Sequence, residues 1–286
     1  MKTKLFLLVL IAVFISFTAC QKDSTPIDQD SIDLADDNSV TDVAFDDIFN
    51  TVDNASIMLE AALGKGDLKS TLVFADSCPL VTITNPEVGV WPKTITVDYG
   101  SGCEGFFGST RSGKIIITIT ERRYVLNATR TVTFENYYFN GIKVEGSKEV
   151  KNTGLNNNNN MTFSDKLTAG KLTLPNGNTI EREFEHQREW LAGWGTMNIW
   201  DDECLVTGTA TGKTINGYTY TNTIMTALHW KRVCEFLVSG VIRFEREGVE
   251  AFELDYGDGE CDAVATLKRG DQSKVITLRH RHRLQD

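Results

Sequence analysis

Lys114-Ile115-Ile116-Ile117-Thr118-Ile119-Thr120 sets Ile115, Ile117 and Ile119 against Ile116, Thr118 and Thr120, and Thr129-Arg130-Thr131-Val132-Thr133-Phe134 repeats the alternation further on. A period of two places successive side chains on opposite faces of a β-strand. Asn140-Gly141, Asn176-Gly177 and Asn216-Gly217 lie between such runs, and Asn-Gly tolerates the positive φ that a tight hairpin needs. About thirty threonines fit the same pattern, because β-branched side chains suit a pleated surface. The expectation is an all-β domain over 67–286, with Thr-rich antiparallel sheets in a meander or sandwich-like arrangement of roughly 13–15 strands.

Upstream the period changes. Phe45, Ile48, Phe49, Val52, Ala55, Leu59, Ala62 and Leu63 recur at three and four residues, which predicts an amphipathic helix over 41–66 packing one face on the domain. Ser39 or Thr41 can cap its start, and Gly64 and Gly66 can end it. Residues 20–40 are rich in Asp, Ser and Gln and predict a flexible tether. The run Asn156 to Asn160 predicts a solvated loop. The length of 286 residues permits one large β domain or two of ordinary size. A net charge of −10 argues against nucleic acid as a partner, since phosphate binding needs clustered Lys and Arg.

The chain opens with Lys2 and Lys4, a nearly unbroken apolar run from Leu5 to Phe17, and Thr18-Ala19-Cys20. A basic start and a run too short to span a bilayer predict a signal peptide over 1–19. Thr18-Ala19-Cys20 resembles a bacterial lipobox, which implies that Cys20 carries the lipid, palmitate included, and that this anchor is the membrane contact. Gln21 after that cysteine points to the outer membrane, and Gln21-Lys22-Asp23 resembles the surface-export signal of Bacteroidota-type lipoproteins. The expected location is the outer membrane, lipid-anchored, at the cell surface or the periplasmic face.

The β region carries an internal duplication. Val97-Asp98-Tyr99-Gly100-Ser101-Gly102-Cys103 is echoed by Leu254-Asp255-Tyr256-Gly257-Asp258-Gly259-Glu260-Cys261, each with an upstream cysteine, Cys78 or Cys234. It suggests two related halves, about 67–150 and 200–286. Together with Tyr137-Tyr138-Phe139-Asn140-Gly141 and Arg188-Glu189-Trp190, the pattern resembles a family of Bacteroidota-type outer-membrane lipoproteins of uncharacterised activity. The resemblance supports address and fold, and it implies no reaction. Outside the cytoplasm disulfides persist, and equivalence of the two copies pairs Cys78 with Cys103 and Cys234 with Cys261. Cys204 is then left over, although it lies close enough in sequence to compete for Cys234.

The residues that could carry chemistry are scattered. Glu181, Glu183, Glu185 and Glu189 line one face of a predicted strand, with Arg182, Phe184, His186, Arg188 and Trp190 on the other. Carboxylates two apart on a strand sit about 6.6–6.8 Å apart, a separation that inverting glycosidases use. A solvated ladder against a basic neighbour strand is the simpler expectation. His280 and His282 alternate on the last strand but have no third ligand in a metal-site pattern. Asp255, Asp258 and Asp262 lack the spacing of a calcium loop. No nucleophile elbow, phosphate loop or dinucleotide fingerprint occurs, so no catalytic residue, metal or cofactor is assigned. Trp190 with Trp194, and Tyr218 with Tyr220, remain as aromatic ligand contacts, with burial in the core as the commoner fate of such rings.

The functional expectation is a non-enzymatic cell-envelope lipoprotein with a binding or structural role and a glycan or envelope protein as partner. An envelope hydrolase acting on glycan or peptide, and a lipid or polysaccharide carrier, are the alternatives. Non-reducing peptide mapping of the protein made in an oxidising compartment should recover Cys78–Cys103 and Cys234–Cys261 peptides with Cys204 alkylated. A Cys204–Cys234 peptide would show that the duplication does not specify the bonds.

Overall fold

The computed structural model describes residues 26–64, 71–72 and 78–279. A single helix, α1 (Gln29–Gly64), precedes the strands. These are β1 (Thr71–Leu72), β2 (Leu80–Thr84), β3 (Lys93–Asp98), β4 (Cys103–Glu104), β5 (Thr110–Ile119), β6 (Thr129–Phe139), β7 (Ile142–Leu155) and β8 (Met161–Thr173). They continue as β9 (Thr179–Ala192), β10 (Glu203–Lys213), β11 (Thr219–Lys231), β12 (Ser239–Arg246), β13 (Val249–Asp258), β14 (Val264–Arg269) and β15 (Gln272–Thr277). Each pairs antiparallel with its neighbour in chain order, except that β4 pairs only with β5, so one meander makes the whole sheet.

The alternation that predicted strands also sets which face turns inward. Ile115, Ile117 and Ile119 are buried and pair across to Phe134, Val132 and Arg130 of β6. Asn140-Gly141 joins β6 to β7 as a two-residue turn with both residues at positive φ. On β9, Arg182, Phe184, Arg188 and Trp190 face the interior while Glu181, Glu183 and Glu185 face solvent.

The sheet curls around α1. Side chains at Tyr99 and Arg111, through Arg182, Arg188 and Asn222, to Arg246, Tyr256 and Arg269 all reach helix residues. Among the described residues no ladder joins β15 back to β1 or β2. The helix is therefore the filling of the curl and is covered all round over its turn at 37–41. Asp37, Asn38, Ser39, Val40 and Thr41 are consecutive and all buried, and five residues at 3.6 per turn make more than a full revolution.

Two expectations are corrected here. The helix does not begin near residue 41 after a tether: it starts at Gln29, with Asp28 accepting a 2.8 Å hydrogen bond from the Ser31 amide at its N-terminus. Nor does it pack by one face alone. The predicted stripe of Phe45, Ile48, Phe49, Val52, Ala55, Leu59 and Leu63 is buried, and so is much of the acidic remainder. Acidic composition marked residues 29–40 as solvated because their counter-charges lie more than 140 residues away in the chain, as with Asp30 to Arg246 and Asp28 to Arg269. The expected signal peptide, Cys20, His280 and His282 lie outside the described residues.

The interior salt bridges form a network. Arg188 bonds Asp46 of α1 at 2.5 Å and Asp165 of β8 at 2.8 Å, and Lys148 of β7 bonds the same Asp165 at 2.6 Å. Lys148 and Asp165 are wholly buried. Removing one member leaves a charge unpaired in low dielectric, at about 3–5 kcal/mol. Arg188→Met should lower stability by that order in urea unfolding, whereas Lys166→Ala, at the exposed Lys166–Glu185 pair, should leave the midpoint in place.

Candidate functional site

Both duplicated hairpins do the same structural work. The Asp98 carboxylate accepts from the Gly100 amide at 2.8 Å and pairs with Lys114, and Asp255 accepts from Gly257 at 2.9 Å and pairs with Lys268. The tyrosine that follows points inward in each case. Tyr99 meets Thr51 of α1 at 3.3 Å, and Tyr256 meets Asn38 at 3.2 Å. Cys78–Cys103 and Cys234–Cys261 are disulfides, with Cα atoms 6.0 and 5.2 Å apart. Cys204 is buried and free. Burial pushes its thiol up to about 12, so it is no thiolate nucleophile at neutral pH.

The four aromatics singled out in the sequence do not form one surface. Trp190 is buried against Phe49 and Phe163, and Trp194 packs on Phe163 with the Arg123 guanidinium 3.9 Å from its ring. Tyr220 is buried beside Phe244, while Tyr218 is 44% exposed under Arg246. Tyr218 belongs to the turn before β11, so strand alternation does not extend to it. The glutamate ladder is solvated and paired as the simpler expectation had it: Lys166 bonds Glu185 at 2.7 Å, and the Ala169 amide donates to Glu183. Asp255 and Asp262 are engaged in turn hydrogen bonds, and among the described residues no three His, Cys, Asp or Glu side chains converge on a metal position. His186 is stacked on Phe184 and held neutral, its pKa driven well below the usual value by burial and by Arg182.

What the structure does assemble is a cavity of about 650 Å³ over one face of α1, inside the range of about 300–1,000 Å³ for small-molecule sites. Its floor is Val43, Asn50, Ala55 and Met58 of the helix. One wall is the β2–β3 sheet and the Cys78–Cys103 hairpin, with Val81, Val97 and Tyr99. The other is the segment Met197–Trp200 with Trp230 and Cys234. Phe107, Met197 and Trp200 line it while remaining 50%, 65% and 41% exposed. Exposed large apolar groups at the edge of a hollow mark a binding mouth more often than they mark chance. These residues carried little signal in the chain. Phe107 sits among glycines and Trp200 in an acidic loop, and neither belongs to a periodic run.

The acids in this wall are mostly spent on the fold. Arg111 chelates Asp47 through two nitrogens, and Asp46 is held by Arg188. Comparison of the chain with family models, curated proteins and solved structures finds no match, so its function has to be read from this geometry.

Asp202 closes the Met197–Trp200 segment and is 3% exposed. Its carboxyl is lifted to about 7, first by burial and then by repulsion from Asp53, against the pull of Arg232 and Arg123. A raised carboxyl pKa means that folding disfavours the charged form, so the penalty is absent below pH 4, grows as pH rises toward 7 and is constant above. Asp202→Asn should raise Tm at pH 8, by about 2–4 °C for each kcal/mol relieved, and leave it nearly unchanged at pH 4. Calorimetry at the two pH values checks this.

Proposed function

We propose that the protein is a non-enzymatic lipoprotein of the cell envelope that binds a small apolar molecule in the cavity between α1 and the Cys78–Cys103 hairpin. The anchor at Cys20 and the outer-membrane address follow from the N-terminal sequence. The binding role is supported by one observation above the rest: a hollow of about 650 Å³ walled by Val81, Val97, Tyr99, Met58 and Trp230 and rimmed by exposed Phe107, Met197 and Trp200. Burying about 25 cal/mol per Å² of ligand apolar surface gives such a site its driving force.

The same cavity favours carriage of a lipid-like molecule over carriage of a polysaccharide, since its wall is mainly aliphatic and aromatic. Hydrolysis has less support. The Glu181–Glu189 ladder lies on the outer face of β9, away from the hollow. Cys78–Cys103 and Cys234–Cys261 hold the two walls in place, which favours a preformed site.

Titration of the mature chain with N-phenyl-1-naphthylamine should show saturable fluorescence enhancement. Met58→Trp, which extends a half-buried floor residue into the hollow, should abolish it with Tm preserved. Non-saturable signal, or a signal indifferent to Met58→Trp, would overturn the reading.

A further inference from the structure

We infer that the ligand of this cavity carries an anionic head, a carboxylate on an apolar chain, and that Arg232 receives it. The inference rests on the binding role proposed above and concerns the chemistry of the same site.

Charge along the cavity wall is unevenly matched. Asp46 and Asp47 are matched by Arg188 and Arg111. Arg232 is not matched in this way. Arg232 is 5% exposed and lines the cavity, and among the described residues its side chain makes one hydrogen bond, from a terminal nitrogen to Asn54 Oδ1 at 3.1 Å, with no carboxylate within 4.0 Å of it. A guanidinium carries five N–H donors, so most of its capacity is not taken up by the described protein groups.

The acids nearest to Arg232 in charge interaction are Asp53, Asp202 and Asp47. Asp47 is committed to Arg111. Asp53 already faces two arginines, Arg123 at 3.3 Å and Arg130 at 3.4 Å. Arg123, Arg130 and Arg232 therefore confront Asp53 and Asp202, and Asp202 is only partly ionised near neutral pH. The cluster holds at least one buried positive charge more than negative. A buried ion without a partner costs several kcal/mol, and a ligand carboxylate supplies the missing partner in the fork geometry that suits arginine.

The surrounding residues agree with this. Asn50 lies one helical turn before Asn54 and lines the cavity, and among the described residues its buried side-chain Oδ1 has no hydrogen-bond donor. Its side-chain NH2 is a second donor on the same cavity wall as Arg232 and Asn54. Glu104 and Glu235 also line the cavity. Glu104 is exposed on β4, where water and salt screen it, and Glu235 is half-buried. Both favour a carboxylate seated at the buried arginine over one held at the rim. The expected pose puts the head at Arg232, Asn54 and Asn50 and the chain along Val81, Val97 and Met58.

The test is displacement of N-phenyl-1-naphthylamine from the mature chain by dodecanoate, dodecanol and dodecylamine, which share a chain and differ in the head. Dodecanoate should bind at least about tenfold more tightly than dodecanol, as expected for a hydrogen bond to a charged group, and dodecylamine most weakly. Arg232→Gln should bring dodecanoate down to the level of dodecanol, and Arg232→Lys should keep part of the preference. Should Arg232→Gln not fold, the three-ligand order in the unmodified chain and Asn50→Leu, expected to weaken dodecanoate several-fold, still decide. Equal binding of dodecanoate and dodecanol, or a preference that survives Arg232→Gln, overturns the anionic head and leaves the apolar site standing. Failure of all three to displace the probe overturns both.

Discussion

Arg188 joins Asp46 of the helix to Asp165 of the neighbouring strand, and contacts of this kind are what the rest of the molecule depends on. An acidic helix is wrapped by a sheet whose buried face carries arginines and the lysines Lys93 and Lys148. The pairs recur along its length: Asp28 with Arg269, Asp42 with Arg182, Asp47 with Arg111, Asp53 with Arg123 and Arg130. Apolar contact supplies most of the driving force for the collapse. It does not fix which way the helix faces or how far it slides, because aliphatic surfaces are mutually tolerant. Buried ion pairs are intolerant of mismatch, since a displaced partner leaves a bare charge in the interior. Charge matching thus sets the register of helix against sheet.

That register also positions the cavity. With the other faces of α1 committed to the sheet, the face carrying Val43, Asn50 and Met58 is left between two walls that, among the described residues, no strand ladder joins. The walls are not loose. Tyr99 and Tyr256 tie the duplicated hairpins to the helix, and a disulfide braces each hairpin. The surplus cation at Arg232 is where the matching of charges stops short, and it does so at the wall of the hollow. A position where the internal logic of a fold is incomplete is a reasonable place to look for a ligand.

The strands were legible because their signal is local. Ile115, Ile117 and Ile119 needed only one inward face to be readable, and short turns such as Asn140-Gly141 marked single hairpins without choosing between a meander and a sandwich. The cysteine pairs were legible because the duplication printed the same hairpin twice. The helix was half legible. Its apolar stripe from Phe45 to Leu63 has the right period, whereas residues 29–40 look like a tether, since Asp30, Asp33 and Asp37 reveal nothing about Arg246, Asn216 and the Ile215 amide that meet them. The site was not legible. Trp190, Trp194 and Tyr220 went to the core and Tyr218 to a turn, while Phe107, Met197, Trp200 and Arg232 sit on separate loops and strands with no common motif.

The sequence by itself determined the β class, the presence of the helix and the disulfide partners, all of which rest on periodicity or on a repeated segment, while the order of the strands in one meander came only from the folded sheet. Only the tertiary structure decided that the sheet curls around the helix, that acidic residues would be buried rather than solvated, and that a hollow would open beside Arg232. Those outcomes depend on pairings between residues far apart in the chain, such as Asp46 with Arg188 and Asn54 with Arg232. A charge carries no mark of its partner until folding brings the two within a few ångströms, where the loss of water makes the match decisive.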